Sequence, residues 1–169
     1  MGLLDRLRTS GESTFSVRVI DSSRSFRGSK GDEIFAEGYV PVDHAGRPFA
    51  ESDHRTSHPR VAHCKVAGTH HAPSALADPR LGVGSRVSLR PEPGNPSDPN
   101  AVGVWDASGS VQAGYLPATL SRTIAGSLRG GGKLEGQVIR ELRLGSPTGA
   151  RIALYVLIAP PGRLETALR

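Results

Sequence analysis

Arg90-Pro91-Glu92-Pro93-Gly94-Asn95-Pro96-Ser97-Asp98-Pro99-Asn100-Ala101-Val102, continued by Val104, Trp105 and then Ala113-Gly114-Tyr115-Leu116-Pro117, is the stretch that decides the fold. It reads as a strand end, a stiff polar loop, a strand, a turn and a second strand. Each proline fixes its own φ and drives the residue before it towards extended backbone. Asn95 and Asp98 each precede a proline, so their short polar side chains have little freedom and suit turn hydrogen bonds. A loop that is polar and rigid at once can hold a carboxylate and amides in fixed directions, as the wall of a binding site requires.

Working outward, Arg86 to Arg90 alternates, with Val87 and Leu89 inward and Arg86, Ser88 and Arg90 outward. Val61 to Ala67 reads as another strand, with Cys64 in the core, and Gly68-Thr69-His70-His71 turns out of it. Ala75 to Leu81 holds one helical turn broken by Pro79. On the other side, Asp106-Ala107-Ser108-Gly109 is a hairpin turn and Val111 to Leu116 returns from it. After Pro117, the spacing of Leu120, Ile124 and Leu128 predicts a helix that Gly130-Gly131-Gly132 ends. Leu134 to Leu144 and Arg151 to Ile158 are the last strands. Nearer the start, Phe15, Val17 and Val19 alternate, Asp21 to Gly31 reads as a polar loop, and Ile34 to Val40 as a second strand. These two strands pair as a hairpin that joins the barrel or lies as a flap beside it, since a lone hairpin is unstable. Met1 to Thr9 forms a short helix and Pro41 to Arg60 a linker or surface loop. About seven or eight short strands with one helix make the pattern of a small Greek-key barrel.

Composition supports this. Of 169 residues, 37% are hydrophobic, 21 are glycine and 13 are proline, which favours short strands with turns over long helices. The net charge of +5 is uneven: residues 1–117 hold 13 basic and 13 acidic residues, whereas residues 118–169 hold 8 and 3. A basic region beside a polar groove suits a phosphate backbone, although on charge alone solvated surface arginines are the better account. No stretch approaches a membrane span, the start lacks the apolar centre of a signal peptide, and one cysteine excludes an internal disulfide framework. The expected setting is a reducing cytoplasm without membrane attachment.

Catalytic motifs are missing. No serine lies in a nucleophile elbow, no Walker lysine follows a glycine loop, and the acids are too scattered for a metal-dependent nuclease. All six histidines fall between His44 and His71, near Cys64, Asp43 and Asp53, which raises a metal site. Their spacing fits neither a zinc finger nor a ribbon, and neighbours His63 and Cys64 point to opposite faces of a strand. The reading is histidines in a polar loop, with no metal and no cofactor.

The pattern Glu92-Pro93-x-Asn95-Pro96-x-Asp98-Pro99-Asn100-Ala101-Val102, followed by Gly114-Tyr115-Leu116-Pro117, resembles the HIRAN domain family. Val66-Ala67-Gly68-Thr69-His70-His71 and Val87-Ser88-Leu89 stand where that family would place them, so the resemblance runs from Val61 to Ile158. It implies an all-β, OB-like barrel with one short helix, over residues 61–159. Residues 1–60 then form an N-terminal extension of helix, hairpin and His-rich loop, and residues 160–169 a tail. Family members occur at the front of DNA-repair remodelling ATPases and as small bacterial proteins, and the best understood grip the free 3′ end of single-stranded DNA. The resemblance implies a non-catalytic, single-stranded-DNA-binding module of DNA repair or processing, with a separate repair helicase or nuclease as a further partner. The competing expectation is a protein-interaction or regulatory module that kept the fold and lost the DNA pocket.

By that resemblance Asp98 accepts the terminal hydroxyl and Asn95 shapes the same wall. An ionised carboxylate is acceptor-only, so it would hold a hydroxyl and repel a phosphate. His70 and His71 stand where aromatic residues stack on terminal bases, and Tyr115 either faces the groove or sits in the barrel core. Arg86 and Arg90, outward on their strand, are candidates for phosphate contacts, as is the C-terminal basic set. Thr69 replaces a basic residue of the repair enzymes and Ser97 replaces a pocket tyrosine.

Overall fold

The computed structural model describes residues 18–42, 45–48 and 62–161. These residues form nine antiparallel strands, several of them marked by period-two alternation of apolar residues. The first three are β1 (Arg18–Asp21), β2 (Arg24–Arg27) and β3 (Glu33–Val42). β4 (Ala62–Lys65) leads through the short helix α1 (Pro73–Ala77) to β5 (Arg86–Pro91), β6 (Val102–Asp106) and β7 (Gln112–Tyr115). Helix α2 (Ala118–Arg129) then precedes the long pair β8 (Glu135–Leu144) and β9 (Arg151–Ala159).

β8 is the spine of the sheet. β9 runs along one edge of it, while β3 and β5 share the other, β3 at Arg140 to Leu144 and β5 at Gly136 and Gln137. From there the order β8-β5-β6-β7 curls round towards β4, which pairs with β9. β4 and β7 share no ladder. Among the described residues they are joined where Ala67, two residues past β4, and Tyr115 exchange two backbone hydrogen bonds, of 2.8 and 2.9 Å. The expected all-β, OB-like fold is therefore an open antiparallel sheet latched by one residue pair. Gly114 permits the latch, because a Cβ there would stand 2.2 Å from the carbonyl oxygen of Ala67.

The core lies inside this curl, where Cys64, Val66, Val102, Val104, Leu154 and Val156 are buried. α2 closes one end. Its apolar stripe buries Ile124 and Ala125 and packs Leu120 and Leu128 against the same cluster, each large side chain stabilising by about 1.5–3 kcal/mol when fully covered. β8 and β9 also carry a buried charge. Glu141 is 2% exposed and lies 2.6 Å from the guanidinium groups of both Arg143 and Arg151, which offset the cost of its burial. Arg151 reaches on to the carbonyl of Leu76, docking α1 against β9.

One part of the sequence reading changes. Asp21 to Gly31 is not simply a loop, since Arg24–Arg27 forms β2 against β3. Three of its four side chains are exposed and only Phe26 is half-buried, so no apolar alternation marks it. Of the two placements open to the early hairpin, joining the barrel is the one found, because β3 pairs with β8 from Ile34–Leu144 to Gly38–Arg140. The helix over Met1 to Thr9, the strand residues Phe15 and Val17, the histidines 44, 54 and 58, and the end of the tail lie outside the described residues. No helix among the described residues is long and apolar enough to cross a membrane.

Candidate nucleic-acid interface

The loop between β5 and β6 is rigid for reasons visible atom by atom. Its ends are clasped where Glu92 N–H donates to the carbonyl of Ala101 at 2.8 Å, and turns close from Asn95 to Glu92 and from Ala101 to Asp98, both at 3.0 Å. Prolines donate nothing, so the few remaining amides turn to side chains. Asn95 Oδ1 accepts from Ser97 and Asp98 N–H, and Asp98 Oδ1 accepts from Asn100 N–H at 2.8 Å. Asp98 is half-buried, and its other oxygen, Oδ2, accepts no hydrogen bond among the described residues.

Glu92 organises the ground beside this loop. Its carboxylate accepts from Tyr115 Oη–H and Asn95 Nδ2, each at 3.1 Å, and from Gln112 Nε2 at 3.4 Å. Gln112 and Tyr115 are three residues apart, which in a regular strand would put them on opposite faces. The register between β6 and β7 slips after Val104, making Ala113 the extra residue of a bulge, and both side chains turn to Glu92. Gly103, opposite both Arg90 and Tyr115, leaves the room: a Cβ there would lie within 2.9 Å of Trp105 Nε1, Glu92 Oε1 and Gln112 Nε2. The cluster fixes the phenol of Tyr115 and the amide of Asn95 before any ligand arrives.

His71 completes the wall. The position of an added Cβ on Gly68 lies 3.9 Å from His71 Cδ2 and 4.0 Å from Tyr115 Cδ2, so the two rings flank one glycine. His70 and His71 are exposed, their ring centroids 3.8 Å apart. A family model described as the HIRAN domain matches residues 59–157 of this chain. The chain belongs to the HIRAN domain family. HIRAN domains are DNA-binding modules and in general binders rather than catalysts, so nucleic-acid binding in the broad sense follows from membership. Among solved structures, a Lactobacillus plantarum protein is similar at 23% identity, covering 57% of this chain and 87% of that one, with a TM-score of 0.46. The HIRAN domain of human HLTF is similar at 20% identity, covering 63% and 82%, with a TM-score of 0.44. No functionally curated protein matches the sequence.

In this HIRAN domain the sequence-predicted residues divide. Tyr115 and Asn95 meet at Glu92, His71 and Tyr115 flank Gly68 with His70 against His71, and Asp98 is tied to Asn95 through its backbone N–H. Arg90 stands at the edge of that ground, its guanidinium 5.1 Å over the Trp105 ring and packed onto Gly109. Arg86 is not brought to the cluster; it lies at the other end of β5, 3.2 Å from Glu135. Thr69 is buried, whereas Ser97 is exposed. Among the described residues of the C-terminal basic set, Arg143 and Arg151 face Glu141 and Arg140 lies over Tyr155, whereas Arg129 bonds to Asn100 and stays exposed. His63 is buried, with Tyr155 at 5.9 Å, and no group of three or more metal-ligating side chains occurs among the described residues. Sequence reasoning missed Glu92 as the group that Tyr115, Asn95 and Gln112 share, and Trp105 as the seat of Arg90. Extending the outward row Arg86, Ser88, Arg90 by one more alternation reaches Glu92.

Proposed function

We propose that this HIRAN domain is a non-catalytic module that binds single-stranded DNA at its free 3′-hydroxyl end, in DNA repair or processing within the cytoplasm. A separate helicase or nuclease would act on the strand it holds. The observation that carries the reading is Asp98: proline-fixed, half-buried, with Oδ1 held by its own turn and Oδ2 left to accept a hydroxyl. Support comes from the neighbouring wall, where Tyr115, Asn95 and His71 offer a phenol, an amide and a ring in fixed positions. A hydroxyl donates to Oδ2, whereas a terminal phosphate brings like charge to it. Hydrogen bonds to charged groups are worth about 1.5–3 kcal/mol, so a 3′-hydroxyl strand should bind about tenfold more tightly than the same strand ending in 3′-phosphate. Asp98→Ala should weaken binding of the hydroxyl end and shrink that preference. Fluorescence anisotropy with the two oligonucleotides tests it, and equal affinity of the unaltered protein for both ends sinks the reading. The protein-interaction alternative draws on the occupied arginines, and a salt-independent affinity for DNA would favour it.

A further inference from the structure

The outer face of α2 is unlike the rest of the surface. From Ala107 to Leu134 the chain contains no acidic residue, yet it carries Arg122, Arg129 and Lys133. Arg122, Gly126 and Arg129 recur at helical spacing, so they share one exposed face with Thr119 and Thr123. At the centre of that face Gly126 has nothing within 4 Å of where a Cβ would stand. Two arginines separated by about 10 Å along the axis, hydroxyl donors at the margin and a bare glycine between them make a surface that a phosphate backbone can approach closely. The face is also joined to the Asp98 loop. Arg129 Nη2 donates to Asn100 Oδ1 at 3.0 Å, and Asn100 N–H donates to Asp98 Oδ1 at 2.8 Å.

We infer that the outer face of α2 is a phosphate track, carrying the body of a single strand away from the Asp98 loop on Arg122 and Arg129, with Lys133 exposed in the turn that follows the helix. The direction of travel rests on the strand-end reading above; the track itself rests on the charge and shape of the helix. The other route from the loop, across β5 and β6, is less suited to an anion. There the Glu92 carboxylate stands over Gly103, and Arg90 is packed between Trp105 and Gly109.

The test is an anisotropy series with oligodeoxythymidylates from about four to about twelve nucleotides, within the range one OB-type module covers. Affinity of the unaltered protein should rise with length. The double variant Arg122→Glu/Lys133→Glu should bind the longest strand about tenfold less tightly, keep its affinity for the shortest, and lose about 1.4 from the slope of log affinity against log salt. Arg27→Glu on β2 supplies a single charge reversal away from α2, and doubling it with Arg24→Glu matches the change in net charge. Melting curves confirm that each variant folds. If the α2 variant and the β2 variant behave alike at every length, the track is overturned, as it is if no oligonucleotide binds. The series repeated with 3′-phosphate ends separates the two ideas. A length gain that survives equally on both ends keeps the track and removes the strand-end reading.

Discussion

Glu92→Ala removes the acceptor that three side chains share, and the size of the loss can be worked from the contacts. Tyr115 and Asn95 donate at 3.1 Å, whereas Gln112 at 3.4 Å is too long to contribute much. The carboxylate is half-exposed, which places each good bond near about 1 kcal/mol, below the usual value for a charged acceptor. The expected loss is about 2 kcal/mol, or roughly 4–8 °C in melting temperature for a chain of this size. Glu92→Gln should lose about half of that, since the amide keeps one acceptor oxygen but turns a second donor towards groups that already donate. Thermal melting followed by circular dichroism gives the first number. Hydrogen exchange gives the location, because the Ser97 and Asn100 amides held by Asn95 and Asp98 should exchange faster once the cluster is gone. A Glu92→Ala protein that melts within a degree of the unaltered one, with those amides equally protected, refutes the view that Glu92 holds the wall.

Gly114→Ala should destabilise by at least about 3 kcal/mol, because a Cβ there meets the Ala67 carbonyl oxygen at 2.2 Å; unchanged melting would contradict that close approach. Asp106 accepts from the Ser108 hydroxyl and from the Val111, Ser110 and Ser108 amides, which hold its carboxyl well below the usual carboxylate range. Its contribution is therefore complete above the unfolded pKa of about 3.9 and drains away as pH falls through the lower folded value. Asp106→Asn should melt below the unaltered protein at pH 7, with the gap narrowing towards acid; a gap that stays constant counts against the turn's dependence on charge. Chelation should leave the melting curve of the purified protein unchanged, and stoichiometric zinc whose removal unfolds it would overturn the reading of the histidines as metal-free.

What could be read beforehand follows from how each feature is encoded. Val87 and Leu89, or Leu120, Ile124 and Leu128, announce their elements because one face of each is buried, and burial imposes a period. β2 lacks that mark because it lies at an edge with one apolar side chain, and its pairing depends on β3 alone. Asp98 and Asn95 were legible as turn residues because the prolines beside them leave few alternatives. The face on which Tyr115 lies was not legible. Alternation counts residues, and the bulge at Ala113 adds one that only the pairing with β6 reveals. The occupied arginines were equally hidden, since partners such as Glu141 and Leu76 become neighbours of Arg151 only through the long-range pairing of β8, β9 and α1.

The pair Ala67 and Tyr115 has a thermodynamic consequence. Among the described residues it is the backbone hydrogen-bonded pair that fastens β7 to the far side of the curl, and the same tyrosine presents its side chain to the candidate site. A ligand that engages the phenol while the clasp is shut has less to hold when it springs open, so occupancy and closure are coupled free energies. The two clasp amides thus become a built-in reporter: saturating oligonucleotide should slow their exchange with solvent more than that of amides deep in β8 and β9, which open only when the whole domain does.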